Sequence, residues 1–64
     1  MSRMVSLGTK VRQIHGLAGT RDVNEWENEF INHVWVWTKQ GAQTSGLTEK
    51  QIGVIERIWG KHFA

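Results

Sequence analysis

The 64-residue sequence contains no cysteine and no proline. Without cysteine, the fold cannot be held together by a disulfide or by a thiolate zinc site, and cysteine nucleophiles are excluded. A chain of this length buries only about 60% of the surface that its unfolded form exposes. Its stability therefore has to come from dense packing or from association with another chain.

Two further absences bear on location and chemistry. No apolar run approaches the ~20 residues that a membrane-spanning helix needs, and the N-terminal stretch lacks the apolar core of a signal peptide. We therefore expect a soluble cytoplasmic protein without membrane contacts. The sequence also lacks a P-loop, an H-E-x-x-H pattern and a nucleophile elbow. We expect no catalytic residues and no cofactor.

One line of polar residues is a candidate metal site. Glu25, Glu29 and His33 follow one another at four-residue spacing, which aligns them along one edge of a helix. Such a line is more often a solvated edge, or a set of partners for basic side chains, than a metal site. We therefore expect no bound metal.

Apolar residues recur at helical spacing in three segments separated by glycine-containing loops, and the absence of proline agrees with this pattern. The pattern predicts an all-α, three-helix domain with helices over about residues 2–17, 23–40 and 48–62, as a monomer or a dimer. Within it we distinguish a basic N-terminal segment, residues 1–21, from a helical hairpin over residues 22–64. The apolar face of the first helix consists of Met4, Leu7, Val11 and Ile14.

The second helix is expected to begin with a capping box. In the sequence DVNE, Asp22 would accept backbone N–H bonds while Glu25 reaches back to the cap. At about 100° per residue, the apolar stripe of this helix falls within about 80° of arc. We expect this stripe to face the core, and it consists of Val23, Trp26, Phe30, Val34 and Trp37.

The third helix is predicted to begin at a second capping box, with Thr48 as the cap and Gln51 as its partner. Its apolar residues cover about half of the helix circumference, which is wider than a single neighbour usually buries. We therefore expect this helix to pack against both other helices, or against one helix and a partner subunit. These residues are Ile52, Val54, Ile55, Ile58, Trp59 and Phe63.

Trp35 does not fit the predicted core stripe, because it lies about 160–180° around the second helix from Trp26 and Trp37. Three interpretations are open: the first helix covers this face, another chain binds it, or the indole contacts nucleic acid by stacking. Under the second interpretation, the face that binds a partner or a second copy comprises Ile31, Trp35, Val54 and Ile58.

Charge is distributed unevenly, although the net charge is only +2. Residues 1–21 carry four cations and no acid, whereas residues 22–29 carry four acids and no cation. In the third helix, three cations fall within about 40° of arc and form a basic stripe. Together these cations predict a phosphate-binding surface; the alternative is that they only keep a small protein soluble. The surface would comprise Arg3, Lys10, Arg12, Arg21, Lys50, Arg57 and Lys61.

The stretch WENEFI, followed after a glycine-containing loop by LTEKQIGVIERIWGKHF, resembles a helical module of small bacteriophage proteins from replication and recombination regions. The resemblance covers roughly residues 26–63 and depends on a W-x3-F pair, an L-T-x-K-Q cap and a V-I-E-R-I run. It implies a phage origin, DNA-related work and a place in the host cytoplasm. It implies no catalytic residues.

Two functions are therefore weighed. The leading hypothesis is a non-catalytic protein of phage DNA metabolism that binds nucleic acid, with duplex DNA contacted through its phosphates and with low sequence specificity. The alternative is a protein-interaction factor that binds and modulates a host or phage replication protein through the apolar face around Trp35.

Overall fold

The structure, a computed structural model, describes residues 5–63. This part of the chain contains three helices and no strand: α1 spans Leu7–His15, α2 spans Glu25–Trp37 and α3 spans Glu49–Phe63. The predicted all-α, three-helix fold is confirmed. None of the three helices has the length and apolar character needed to cross a membrane. The predicted contributions of Arg3 and Met4 lie outside the described residues.

The first helix is shorter than predicted, because its cap lies at Ser6 and not near residue 2. Ser6 has extended backbone angles (φ −66°, ψ 153°), and its hydroxyl accepts a hydrogen bond from the Thr9 backbone N–H at 3.2 Å. Serine is a favoured N-cap because it satisfies one of the free N–H groups of the first turn. After His15 the chain leaves the helix through a series of turns.

The capping box of α2 forms two residues later than predicted. Asn24, and not Asp22, is the cap: its side chain accepts from the Glu27 backbone N–H at 2.7 Å, and the Glu27 carboxylate accepts from the Asn24 backbone N–H at 3.0 Å. The sequence DVNEWE contains two overlapping patterns of this kind, DVNE and NEWE. The second register places Val23 just before the cap, where it is buried.

The helix ends at Trp37 and not near Gln40, because the backbone reverses its handedness after Thr38. Lys39, Gln40 and Gly41 all have positive φ, of 50°, 63° and 86°. The buried Thr38 hydroxyl holds this turn: it donates to the Val34 carbonyl at 2.7 Å and accepts from the Gly41 N–H at 3.0 Å.

This turn brings Gly41 against the first turn of α1. A Cβ added at Gly8 would overlap the Gly41 carbonyl oxygen, and a Cβ added at Gly41 would lie 2.8 Å from the Gly8 carbonyl oxygen. Only two glycines allow the two backbones to approach so closely. Gly8 therefore lowers the helix propensity of α1, but it also allows α1 to contact the loop after α2.

As a result α1 is the central element of the fold. It packs against both α2 and α3, whereas within the described residues no Cα of α2 lies within 8 Å of a Cα of α3. The third helix therefore meets α2 through side chains, since Glu27 of α2 approaches Lys61 of α3 and both helices contribute to one core. The division into a basic segment, residues 1–21, and a helical hairpin, residues 22–64, stays a prediction. The core comprises Val11, Ile14, Val23, Ile31, Val34, Leu47, Ile55 and Ile58.

The second helix is also rotated relative to the prediction. Its buried apolar residues are Ile31 and Val34, whereas Trp26 and Trp37, which were assigned to the core stripe, are 54% and 55% exposed. Two apolar arcs on this helix share Val34, and the arc that faces α1 is the one with Ile31 and Trp35. Between the closely packed helices Ile31 and Val34 are fully buried, while the Trp35 indole packs at the margin of the core.

At the start of α3 the predicted capping box is confirmed. The Thr48 backbone N–H donates to the Gln51 side-chain oxygen at 2.9 Å, and the Gln51 N–H donates to the Thr48 hydroxyl at 3.1 Å. Leu47, just before the cap, is buried in the core, and Ile52 packs partly against it.

Replacing Gly8 with alanine is expected to lower the free energy of unfolding by about 1–3 kcal/mol, because the new methyl group overlaps backbone atoms that cannot move aside. The matched control is Gly53→Ala in α3, where an added Cβ meets nothing within 4 Å. That variant should gain about 0.5–1 kcal/mol from the higher helix propensity of alanine. Urea denaturation followed by circular dichroism measures both, and equal stability of the two variants would contradict the close glycine contact.

Replacing Thr38 with valine keeps the shape of the side chain but removes both hydrogen bonds of its hydroxyl. We expect a loss of about 1–3 kcal/mol, because the Gly41 N–H is left without its partner in a buried turn. Thr38→Ser, which keeps the hydroxyl, should lose less. A valine variant as stable as the serine variant in the same denaturation experiment would show that the hydroxyl is unimportant.

Candidate nucleic-acid interface

Lys10 does not belong to the predicted phosphate-binding surface. Its ammonium group forms an ion pair with the Glu56 carboxylate and its side chain is only 15% exposed. The same nitrogen lies 4.8 Å from the centre of the Trp59 ring. Its charge is used to join α1 to α3, by an ion pair and a cation–π contact, and it is therefore not free to bind phosphate.

The other N-terminal cations have separate environments. Arg12 is exposed, and its Nε donates to the Gln40 carbonyl at 3.4 Å, at the turn after α2. Arg21 is exposed in the turns between α1 and α2. The described cations of residues 1–21 therefore do not form a continuous basic arm, because Lys10 points towards α3 and Arg12 towards the end of α2.

The predicted basic stripe of α3 is present at the surface. Lys50, Arg57 and Lys61 are all exposed, and they fall within about 40° of arc on the helix. Lys61 approaches the Glu27 carboxylate at 3.9 Å, yet its side chain remains 60% exposed. We use the name basic stripe for these three residues.

Trp35 packs inside the monomer. Its ring stacks on His15 of α1, with 3.9 Å between ring centroids and an interplanar angle of 7°. This corresponds to the interpretation in which the first helix covers that face. Ile31 and Ile58 are fully buried, so the predicted partner interface has to be corrected: of its four residues, Val54 and Trp35 keep only partial exposure.

The exposed aromatic surface lies on the opposite side of α2 instead. Trp26 stacks with Phe30 at 5.6 Å between centroids, and His33 lies 5.4 Å from Trp37 in a tilted arrangement. Trp26, His33 and Trp37 are exposed, whereas Phe30 is partly buried and packs against the core. The four residues fall within about 60° of arc and run along the whole helix. We call them the aromatic edge.

The aromatic edge and the basic stripe lie on the sides of their own helices that turn away from α1. On α2, Trp35 marks the side that contacts α1, and the tryptophans of the aromatic edge lie about 160–180° from it. On α3, Trp59 marks the side that contacts α1 through Gln13, and the basic stripe lies about 160–180° from Trp59. Both surfaces therefore turn away from α1.

Two contacts show how the surfaces align. Near the start of α2, Glu27 approaches Lys61 at the end of α3. Near the end of α2, the Trp37 indole nitrogen would lie 3.5 Å from a Cβ added at Gly46, just before α3. The two helices therefore run in opposite directions along this face, so that Trp26 lies at the end marked by Lys61 and Trp37 at the end marked by Lys50.

Two carboxylates of the predicted acidic cluster border the aromatic edge, because Glu29 lies one turn before His33 on the same side of α2 and Glu25 lies one turn before Glu29. Glu25 and Glu29 are exposed on the outer side of α2, and Asp22 lies in the preceding turn. Glu27 is buried, caps α2 and faces Lys61. Residues 5–63 contain no group of three or more potential metal-ligating side chains, and this part of the chain has no pocket.

Comparison with protein families, with curated proteins and with solved structures gave no match.

Sequence reasoning missed the aromatic edge because it placed Trp26 and Trp37 in the core. The sequence does show that two different faces of α2 are apolar. The two arcs share Val34, and the residue types alone do not decide which arc faces the core. Lys39, which follows α2 in the left-handed turn, was also left out of the basic set. It is exposed two residues after Trp37 and adds a cation to that end of the face.

Trp35→Ala is expected to destabilise the fold by roughly 2 kcal/mol, because it removes an indole packed on the core and on His15. Trp37→Ala should change stability by less than about 1 kcal/mol, because its ring is already largely in water. Chemical denaturation of the two variants compares them directly. If Trp37→Ala proved the more damaging of the two, this orientation of α2 would be incorrect.

Proposed function

We propose that this protein binds nucleic acid without catalysis, and that the basic stripe of α3 contacts the phosphates. The observation that carries the proposal is the exposure of three cations along one flank of one helix. Among the described residues, Lys50 and Arg57 form no ion pair, and Lys61 keeps most of its surface in water. Exposed cations can neutralise the phosphates of a nucleic acid and release the counterions condensed on it. This release provides the free energy of binding.

The spacing of the stripe suits a strand of nucleic acid. Lys50 and Lys61 are eleven residues apart, which corresponds to about 16 Å along the helix axis. Successive phosphates of one stacked strand advance by about 3.4 Å. The stripe therefore spans roughly five nucleotides, and its three cations would contact some of their phosphates.

The resemblance of residues 26–63 to helical modules of small phage proteins supports a role in phage DNA metabolism, in the host cytoplasm. Phosphate contacts of this kind would show little sequence specificity. They would hold a duplex and a single strand alike, so the charge of α3 supports nucleic acid as the class of partner. Duplex DNA, the target expected from the sequence, is one of the two targets that the binding experiment compares.

A protein-interaction role is the second candidate, because tryptophan is a favoured anchor in protein interfaces. From the sequence, a partner was expected to bind the face of α2 that contains Ile31 and Trp35, but α1 covers this face. The half-exposed Trp26 and Trp37 provide a different surface. If this surface pairs two copies of the chain, light scattering will show a dimer that Trp37→Ala returns to the monomer.

The test of the leading proposal is the salt dependence of binding. Three phosphate contacts predict a slope of about −2 to −3 in a plot of log K against log salt concentration. Between about 50 and 200 mM salt, the affinity should therefore fall roughly 20- to 40-fold. Fluorescence anisotropy with labelled duplex and single-stranded oligonucleotides measures this, and binding that is indifferent to salt would contradict the proposal.

The triple variant Lys50→Gln, Arg57→Gln, Lys61→Gln should lose most of the affinity and flatten the salt slope. The control is Arg21→Gln, which removes an equal charge per substitution from the turn beside Asp22, outside α3. An effect of Arg21→Gln as large as one third of the triple effect would indicate that net charge alone, and not the stripe, determines binding.

A further inference from the structure

The two tryptophans of the aromatic edge are large apolar side chains that the fold leaves half exposed. Trp26 and Trp37 leave about half of their surface in water, in a protein whose own core consists of smaller aliphatic side chains. Exposed apolar surface of this kind on a small protein usually marks a binding site. The rings also have a fixed geometry, since each tryptophan is paired with a neighbouring ring on α2.

The charged groups on the α3 side of these rings are cations, whereas Glu25 and Glu29 lie on the other flank of the rings. Lys61 lies at the end of the face that holds Trp26, and Lys50 lies at the end that holds Trp37, because α2 and α3 run in opposite directions. Trp26 and Trp37 are eleven residues apart, about 16 Å along the axis, which equals the separation of the two lysines. The rings of α2 and the cations of α3 therefore extend over equal lengths of two antiparallel helices that contact each other near both ends.

We propose that the aromatic edge and the basic stripe together bind a single strand of nucleic acid, with its bases stacked on the rings and its phosphates on the cations. This inference rests on the proposed function and names its target. A single strand presents both an unpaired base face and a phosphate at each nucleotide, which is the combination that stacking platforms in cationic grooves recognise. A duplex keeps its base faces stacked inside, so it can use the cations but not the rings.

Charge complementarity selects this occupant over a second copy of the chain. An isologous dimer through this face would bring two sets of Lys50, Arg57 and Lys61 to one interface, where like charges repel. The carboxylate of Glu27 already faces Lys61, and the exposed carboxylates of Glu25 and Glu29 lie about 160° around α2 from Glu27, on the flank of the rings that is turned away from Lys61. A polyanionic strand that lies on the α3 side of the rings neutralises the cations of the basic stripe.

The test compares oligonucleotides of equal length by fluorescence anisotropy at low and physiological salt. We expect single-stranded dT12 and rU12 to bind at least about tenfold more tightly than a 12-base-pair duplex, since only the single strands reach the rings. The relative affinity of dT12 and rU12 shows whether the site prefers DNA or RNA, and tight binding of either supports the proposal. Quenching of tryptophan fluorescence on addition of dT12 reports the stacking directly.

Variants at Trp37 separate stacking from simple apolar contact. Trp37→Leu should weaken dT12 binding roughly tenfold, whereas Trp37→Phe, which keeps a flat ring, should retain most of the affinity. The matched control is Val36→Ala, because Val36 is an exposed apolar residue of the same helix, 76% exposed and about 100° around from Trp37. It should leave binding unchanged, and circular dichroism confirms that each variant is folded.

The outcomes separate the two proposals. Equal affinity for single strand and duplex, with no loss in Trp37→Leu, overturns the single-strand inference; the proposed function then stands if binding still depends on salt and on the basic stripe. If none of the three oligonucleotides binds at low salt, both proposals fail. A loss in Trp37→Leu that is equal for dT12 and the duplex also overturns the inference, because it shows that the ring does not act through unpaired bases.

Discussion

The contact between the backbones of Gly8 and Gly41 is the constraint on which the rest of the structure depends. It brings the first turn of α1 against the turn that ends α2, and neither position has room for a Cβ atom. Because Gly41 must reach α1, α2 stops at Trp37 and the chain turns through three residues with positive φ. The Thr38 hydroxyl satisfies the polar groups of that turn, so a sharp reversal is accommodated in a buried position.

The exposed surface follows from this close approach. With α1 held near α2 and α3, the space between the helices accommodates branched aliphatic side chains such as Ile14, Ile31 and Ile58. Trp35 and Trp59 pack at the margins of the core, where their rings contact His15 and Lys10. The remaining indoles of α2 are left outside, which explains why so small a protein has an aromatic surface as well as a closed core.

Some charged side chains form contacts within the protein, whereas others are exposed at the surface. The cation of Lys10 joins α1 to α3, and the carboxylate of Glu27 caps α2 and faces Lys61. These charges are committed to contacts within the chain. The cations of the basic stripe lie on the side of α3 that turns away from α1, and the exposed indoles lie on the corresponding side of α2. This combination of exposed rings and cations on two antiparallel helices is what supports the proposal of a single strand as the ligand.

The sequence by itself determined the three helices, the cap of α3 at Thr48 and the basic stripe, because helical spacing and capping act within a few neighbouring residues. It did not determine which face of α2 is buried, because both apolar arcs satisfy the same periodicity. Only the tertiary structure decided that question, through a contact between Gly8 and Gly41, which are far apart in the chain. The same long-range packing removed Lys10 from the surface and placed Trp37 on it, since burial depends on which helix comes to lie opposite.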